Sequence, residues 1–271
     1  MEYSKEFKAL LESTDQGYIG HGNPNAKILF IGQEPAIDPY VRQDRWGEEI
    51  VHNASQWKKL VAESVGYDAI DHTKNEFGLP LHPWANQKFQ VRSEMQDGSV
   101  RAHEGSARTW YNYQKLINRI FELYSSARTK LGRNDFLDFH RLSFHTDMCD
   151  QPSLNHKIST LTTNSVLKRF HFLSNDYFRK FPIVIAAVGH FPRDTYGDAY
   201  FGDVFEVEYI GNEETEPNAW MNVSIRKSDE KPMLLIHTPQ FADSISDRYV
   251  DQMARRVVNF AREHKINLLP D

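Results

Sequence analysis

The chain has 271 residues, a formal charge of -5 at pH 7 and a single cysteine, Cys149. That length holds one large α/β domain or two small ones, and 17 phenylalanines supply a sizeable core. One thiol excludes an internal disulfide, a four-thiolate zinc site and a cysteine-ligated iron–sulfur cluster, and the acidic balance excludes a general nucleic-acid coat, though a local basic face suffices for DNA.

The first element read from the pattern is an amphipathic helix from Glu2 to Ser13, with Phe7, Leu10 and Leu11 on one side. Thr14 to Asn25 is rich in Gly and Asn and reads as loop. Lys27 to Ile31 reads as a short buried strand, which Gly32 ends and Pro35 keeps from continuing. Asp38 to Asn53 shows no period. Ala54 to Val65 reads as a helix with Trp57, Leu60 and Val61 inward. Residues 66–105 carry little pattern, and a structureless loop of that length is rare in a compact domain. The expectation there is an insertion with short strands around Lys88 to Arg92.

Ser106 to Tyr124 is the clearest helix, with Trp110, Tyr113, Leu116, Ile117, Ile120 and Leu123 at helical spacing. Phe136 to Met148 reads as a strand with flanks, and Ser159 to Phe178 as a long, interrupted helix. Ile183 to Val188 is apolar enough for a central parallel strand. Val204 to Tyr209 and Trp220 to Arg226 alternate in period two around a polar Gly211 to Asn218 turn, which predicts an antiparallel hairpin. Met233 to Ile236 is a further buried strand, and Ser246 to His264 a closing helix with Arg248, Arg255, Arg256 and Arg262 off its apolar side. This order predicts a single α/β domain over residues 1–271. Its architecture is a three-layer αβα sandwich with a mainly parallel central sheet, a hairpin and an insertion.

Chemistry gathers where strands end. In open α/β sheets ligands bind outside the carboxyl ends of the strands. Glu34, following Gly32 and Gln33, is there either a solvated exit residue or a general base. His140, His145, Asp147 and Cys149 bear metal-ligating groups, but their spacing matches no zinc pattern, so no metal is expected. Gln240, Ser244, Ser246 and Arg248 form a polar loop leading into a helix N-terminus, either a phosphate site or a capped, solvated turn.

Two motifs carry a resemblance. Gly32-Gln33-Glu34-Pro35-Ala36 resembles the first motif of the uracil-DNA glycosylase superfamily, Gly-Gln-Asp-Pro-Tyr in its best-known branch. Gly20-His21-Gly22-Asn23-Pro24-Asn25-Ala26 is similar to the lead-in of several branches. Leu234-Leu235-Ile236-His237-Thr238-Pro239-Gln240 is similar to the second motif, a strand ending in His-Pro-Ser. The resemblance implies a four-stranded parallel sheet between helices and a monofunctional DNA glycosylase without cofactor, acting on a flipped base.

It also implies roles. Glu34 holds the attacking water and offsets the cationic sugar, and His237 donates to the oxygen of the leaving base. Gln33 touches the base edge. Ala36 replaces a bulky Tyr and implies a roomier pocket, for a uracil-like or modified base. Tyr40 and Trp46 are stacking candidates. His145 and Asp147 stand where the family reads the base with Asn, and an Asp there would accept from an amino group. Phe241 or Arg248 would fill the gap left by the flipped base. Thr238, between His237 and Pro239, alters the second motif.

The expected partner is DNA, single- or double-stranded, with no obligate protein partner. A nucleoside hydrolase using the same cleft and a non-catalytic nucleic-acid-binding module are the rival readings. No apolar run reaches the ~18 residues of a membrane span, and the first residues lack a signal-peptide pattern. The expected location is the cytoplasm.

Overall fold

The computed structural model describes residues 2–33, 47–70, 78, 80–83, 92–94, 100–102, 108–125, 137–149, 163–190, 200–216, 219–242 and 245–269. In chain order its elements begin with α1 (Lys5–Ser13), β1 (His21–Gly22), β2 (Ile28–Gly32), α2 (Asn53–Ala62), β3 (Arg92–Glu94), β4 (Val100–Ala102), α3 (Arg108–Tyr124) and β5 (Phe144–Asp147). They continue with α4 (Thr163–Leu173), α5 (Asp176–Arg179), β6 (Ile183–Ala187), α6 (Tyr200–Phe205), β7 (Glu208–Glu216), β8 (Ala219–Arg226), β9 (Met233–Thr238) and α7 (Asp247–Glu263).

Seven strands form one sheet in the order β1-β5-β2-β6-β9-β8-β7. The middle four, β5-β2-β6-β9, are parallel, and β1, β8 and β7 extend them antiparallel. The parallel strands read as unbroken apolar runs because both their faces are covered. Leu29, Ile31, Val184, Ala186 and Leu235 pack beneath α1, α2, α4, α5 and α6. Ile28, Phe30, Ile183, Ile185 and Ile236 pack beneath α3 and α7. Each such fully buried Val, Leu, Ile or Phe side chain contributes about 1.5–3 kcal/mol. The result is a helix–sheet–helix sandwich with a mixed sheet. No helix among the described residues is long and apolar enough to cross a membrane.

Local chemistry sets the ends of these elements. Ser4 caps α1 by accepting from the Phe7 amide at 3.2 Å, and Ser246 caps α7 by accepting from the Tyr249 amide at 3.0 Å. The long interrupted helix expected over Ser159 to Phe178 is two helices. Asn175 ends one and caps the next, taking the Tyr177 amide at 2.9 Å. Short strands do occur in the expected insertion, as the β3–β4 ladder.

The hairpin differs from its expected bounds. Val204 to Val207 stays out of its first strand, because Tyr200, Phe201, Val204 and Phe205 make a helical turn whose four side chains are buried. Strand β7 starts at Glu208 and runs through the expected polar turn to Glu216. An edge strand tolerates that polarity, and its row of glutamates discourages pairing with another chain.

Candidate active site at the strand ends

Strand β2 ends in Gly32, whose register partner on β5 is Asp147. A Cβ on Gly32 would stand 2.2 Å from Asp147 Oδ1 and 3.2 Å from His145 Nε2. Only a bare Cα therefore lets the Asp147 carboxylate lie across the end of the strand. His145 Nε2 is 3.3 Å from Asp147 Oδ1, and the Tyr18 hydroxyl donates to Asp147 Oδ2 at 3.1 Å. Burial and the Asp147 carboxylate both push the Tyr18 phenol well up, which keeps it an O–H donor.

Tyr18 comes from the loop between α1 and β1, and Asn53 fixes that loop. The Asn53 Oδ1 accepts from the amides of Ile19 at 2.8 Å and Gly20 at 3.1 Å, and its Nδ2 donates to the Gly20 carbonyl at 2.9 Å. The loop lies against β5 so closely that a Cβ on Gly20, at φ +141°, would meet the His145 carbonyl at 2.3 Å.

From α4, the fully buried Arg169 completes the cluster. Its guanidinium donates to the Asp147 carbonyl at 2.8 and 3.1 Å, the Tyr18 carbonyl at 3.0 Å and Thr146 Oγ1 at 2.8 Å. Tyr113 of α3 stands on the other face of the sheet from Arg169, the face that bears the His145 side chain, its ring 5.3 Å from that of His145.

His237 lies on the opposite face of the sheet. Its ring is 5.1 Å from Phe201 of α6 and 4.9 Å from Trp220. Its Nε2 is 2.7 Å from the Gly189 carbonyl. A carbonyl only accepts, so Nε2 carries the proton and His237 holds the turn that leaves β6. The two predicted imidazoles, His145 and His237, thus sit at one end of the sheet but on different sides of it.

Gln33 and Gln240 do meet. The Gln240 amide donates to Gln33 Oε1, which links the exits of β2 and β9. Both flank the end of β6, where the Gln240 side chain packs over Gly189. Glu34, Ala36, Tyr40, Trp46 and Ser244 lie outside the described residues.

The expected DNA contacts are largely used within the fold. Phe241 is 1 % exposed and packs 5.6 Å from Tyr113, so it is core and not a free wedge. Ser246 caps α7 and donates to Glu216 Oε1 at 2.8 Å, which brings the protein's own carboxylate to that helix N-terminus. Arg248 remains exposed beside it. Among the described residues no three His, Cys, Asp or Glu side chains converge as metal ligands.

Tyr18, Asn53, Tyr113 and Arg169 were not among the residues singled out from the sequence for a site. Arg169 does leave a trace, since it stands three and four residues before the buried Phe172 and Leu173, on an apolar stripe. Tyr18 leaves none. Comparison with models of known families and with curated proteins finds no match for this chain.

A histidine beside the cluster predicts acid sensitivity. Burial, and next the neighbouring His145 and His82, hold His21 well below its ordinary pKa, against a raising hydrogen bond to the Pro80 backbone. The folded state therefore keeps His21 neutral, while the unfolded chain protonates it near pH 6.5. Stability is full above that pH and falls below it, by up to about 1.4 kcal/mol per pH unit. Urea midpoints between about pH 7.5 and 5.5 check this. A midpoint that does not move with pH contradicts it.

Proposed function

We propose that the chain is a glycosidic-bond hydrolase of the uracil-DNA glycosylase kind, acting on a base turned out of DNA. One observation carries the reading. The exits of β2 and β9, which hold the two motif-like stretches, are joined by Gln33 and Gln240 at the carboxyl end of a four-stranded parallel core. In this reading Glu34 positions water and offsets positive charge on the sugar. His237 supplies an N–H to the departing base, whose oxygen competes with the Gly189 carbonyl for it. Gln33 contacts the base edge, and Asp147, His145 and Tyr18 line the α3 side of the pocket. Glu34 stands in place of the Asp of the resembled motif, and Ala36, small where that motif has Tyr, suits a base that carries a substituent.

A second reading is favoured by the α7 end of the cleft. Phe241 is buried and Ser246 is bonded to Glu216, so two groups expected to grip a duplex are occupied. That suits a nucleoside hydrolase, which needs no backbone contacts. The separating experiment offers wild-type protein a panel of oligonucleotides with uracil, damaged and modified bases, and the matching free nucleosides. Alkali-labile sites and released base are measured. Abasic sites in DNA support the first reading, and release from nucleosides alone supports the second. Neither signal across the panel removes both.

A further inference from the structure

Asp147 is a buried carboxylate with few partners among the described residues. Its side chain is 7 % exposed. Among the described residues the groups on its carboxylate are one phenol O–H, from Tyr18, and one imidazole nitrogen, of His145. The buried guanidinium of Arg169 points at carbonyls and the Thr146 hydroxyl, and makes no ion pair with this carboxylate. A carboxylate offers about four acceptor positions. Burying one with lone pairs unfilled is costly, a burden that a packing role does not require. Two more polar atoms, Tyr113 Oη and His145 Nδ1, are buried without a hydrogen-bond partner among the described residues. Asp147 Oδ1 and His145 Nε2 stand against Gly32, at the carboxyl end of β2, the end of a parallel sheet where ligands bind.

We propose that Asp147 determines specificity by accepting a hydrogen bond from an exocyclic amino group. The bound base is then of the amino class, cytosine- or adenine-like, and not of the oxo class, uracil- or hypoxanthine-like. This rests on a base entering the strand ends, as in the reading above. A carboxylate has no proton for a carbonyl, so an oxo base would set acceptor against acceptor. The Tyr18 O–H, donated to Asp147 Oδ2, and His145 Nε2, 3.3 Å from Oδ1, hold the carboxylate in place for that bond. A buried site built to bond one polar group rejects the analogue lacking it by on the order of 10⁴.

The test uses matched pairs that differ in this one group: 5-substituted cytosine against the corresponding uracil, and adenine against hypoxanthine, each in the same oligonucleotide. Single-turnover cleavage is measured for wild type and Asp147→Asn. The expected result is faster cleavage of the amino member, by at least about 10². Asp147→Asn, whose amide can donate to a carbonyl, reverses the order. Where Asp147→Asn fails to fold, the wild-type ratio and the binding measurement below carry the test. An oxo preference in the wild type, or an unchanged ratio in Asp147→Asn, overturns the assignment.

Binding of free cytosine and uracil by NMR gives a readout independent of bond cleavage. Tighter binding of cytosine supports the assignment even where no oligonucleotide is cut, an outcome that removes the glycosylase reading alone. Equal binding, weaker binding or none overturns the assignment.

Discussion

Arg169→Met should lower the unfolding free energy by about 3 kcal/mol, read as a fall in urea midpoint at constant slope. Two effects oppose each other. Removing a fully buried guanidinium relieves its desolvation cost, and a hydrophobe of similar volume can be neutral where an entire ion pair is replaced. Here no complementary group leaves with it. The Tyr18 and Asp147 carbonyls and Thr146 Oγ1 stay behind, and each buried acceptor left unmet costs about 1–3 kcal/mol. Three such losses outweigh the relief. The guanidinium also lies over the Phe172 ring at 4.1 Å, a contact the thioether only partly replaces. Arg169→Lys keeps the charge but cannot span three acceptors, so it should fall between the two. A change below about 1 kcal/mol in Arg169→Met would show that the buried network is slack.

Gly32→Ala should reduce base release by about 10² or more while the protein stays folded. The added methyl would stand 2.2 Å from Asp147 Oδ1, closer than side-chain carbons approach oxygen. The neighbour that must give way is a short carboxylate held by Tyr18 and His145, not the free end of a long chain. It has to move by about 1 Å, a displacement large enough to cost two orders of magnitude in rate at a catalytic site. Overpacking of this kind costs about 1–3 kcal/mol of stability, which leaves most domains folded. Gln33→Ala, one residue on, loses only a partly exposed contact with Gln240 and should keep its fold and Tm. Equal rates for wild type and Gly32→Ala would place Asp147 outside the reacting centre.

The parts of the fold legible in the sequence are those with a strong period or an unbroken apolar run. Strands β2, β6 and β9 show as branched apolar runs because both their faces are covered. Helices α3 and α7 show as apolar stripes because one face of each packs on the sheet. The stretch around α6 misleads because Val204, Phe205 and Val207 are too few to separate period two from a helical turn. Only with Tyr200 and Phe201 does the four-residue spacing emerge.

The site is legible to the extent that it sits at strand ends. His145 and Asp147 stand out by position on β5. Tyr18 and Arg169 join them through contacts 129 and 22 residues distant from Asp147 in the chain, and such pairings leave no local pattern. The same holds at α7. Ser246 is recognisable as a cap, but its partner Glu216 belongs to a hairpin 30 residues earlier. The face on which an imidazole lies is decided by register, which places His145 beside Tyr113 and His237 beside Phe201.

The proposed chemistry has its most direct test in base release by Glu34→Gln, under single turnover, on an oligonucleotide that the wild type cleaves. Loss of the carboxylate that positions water should slow release by about 10² to 10⁴ while leaving the unfolding midpoint unchanged. Release at the wild-type rate would contradict a hydrolytic site built on Glu34.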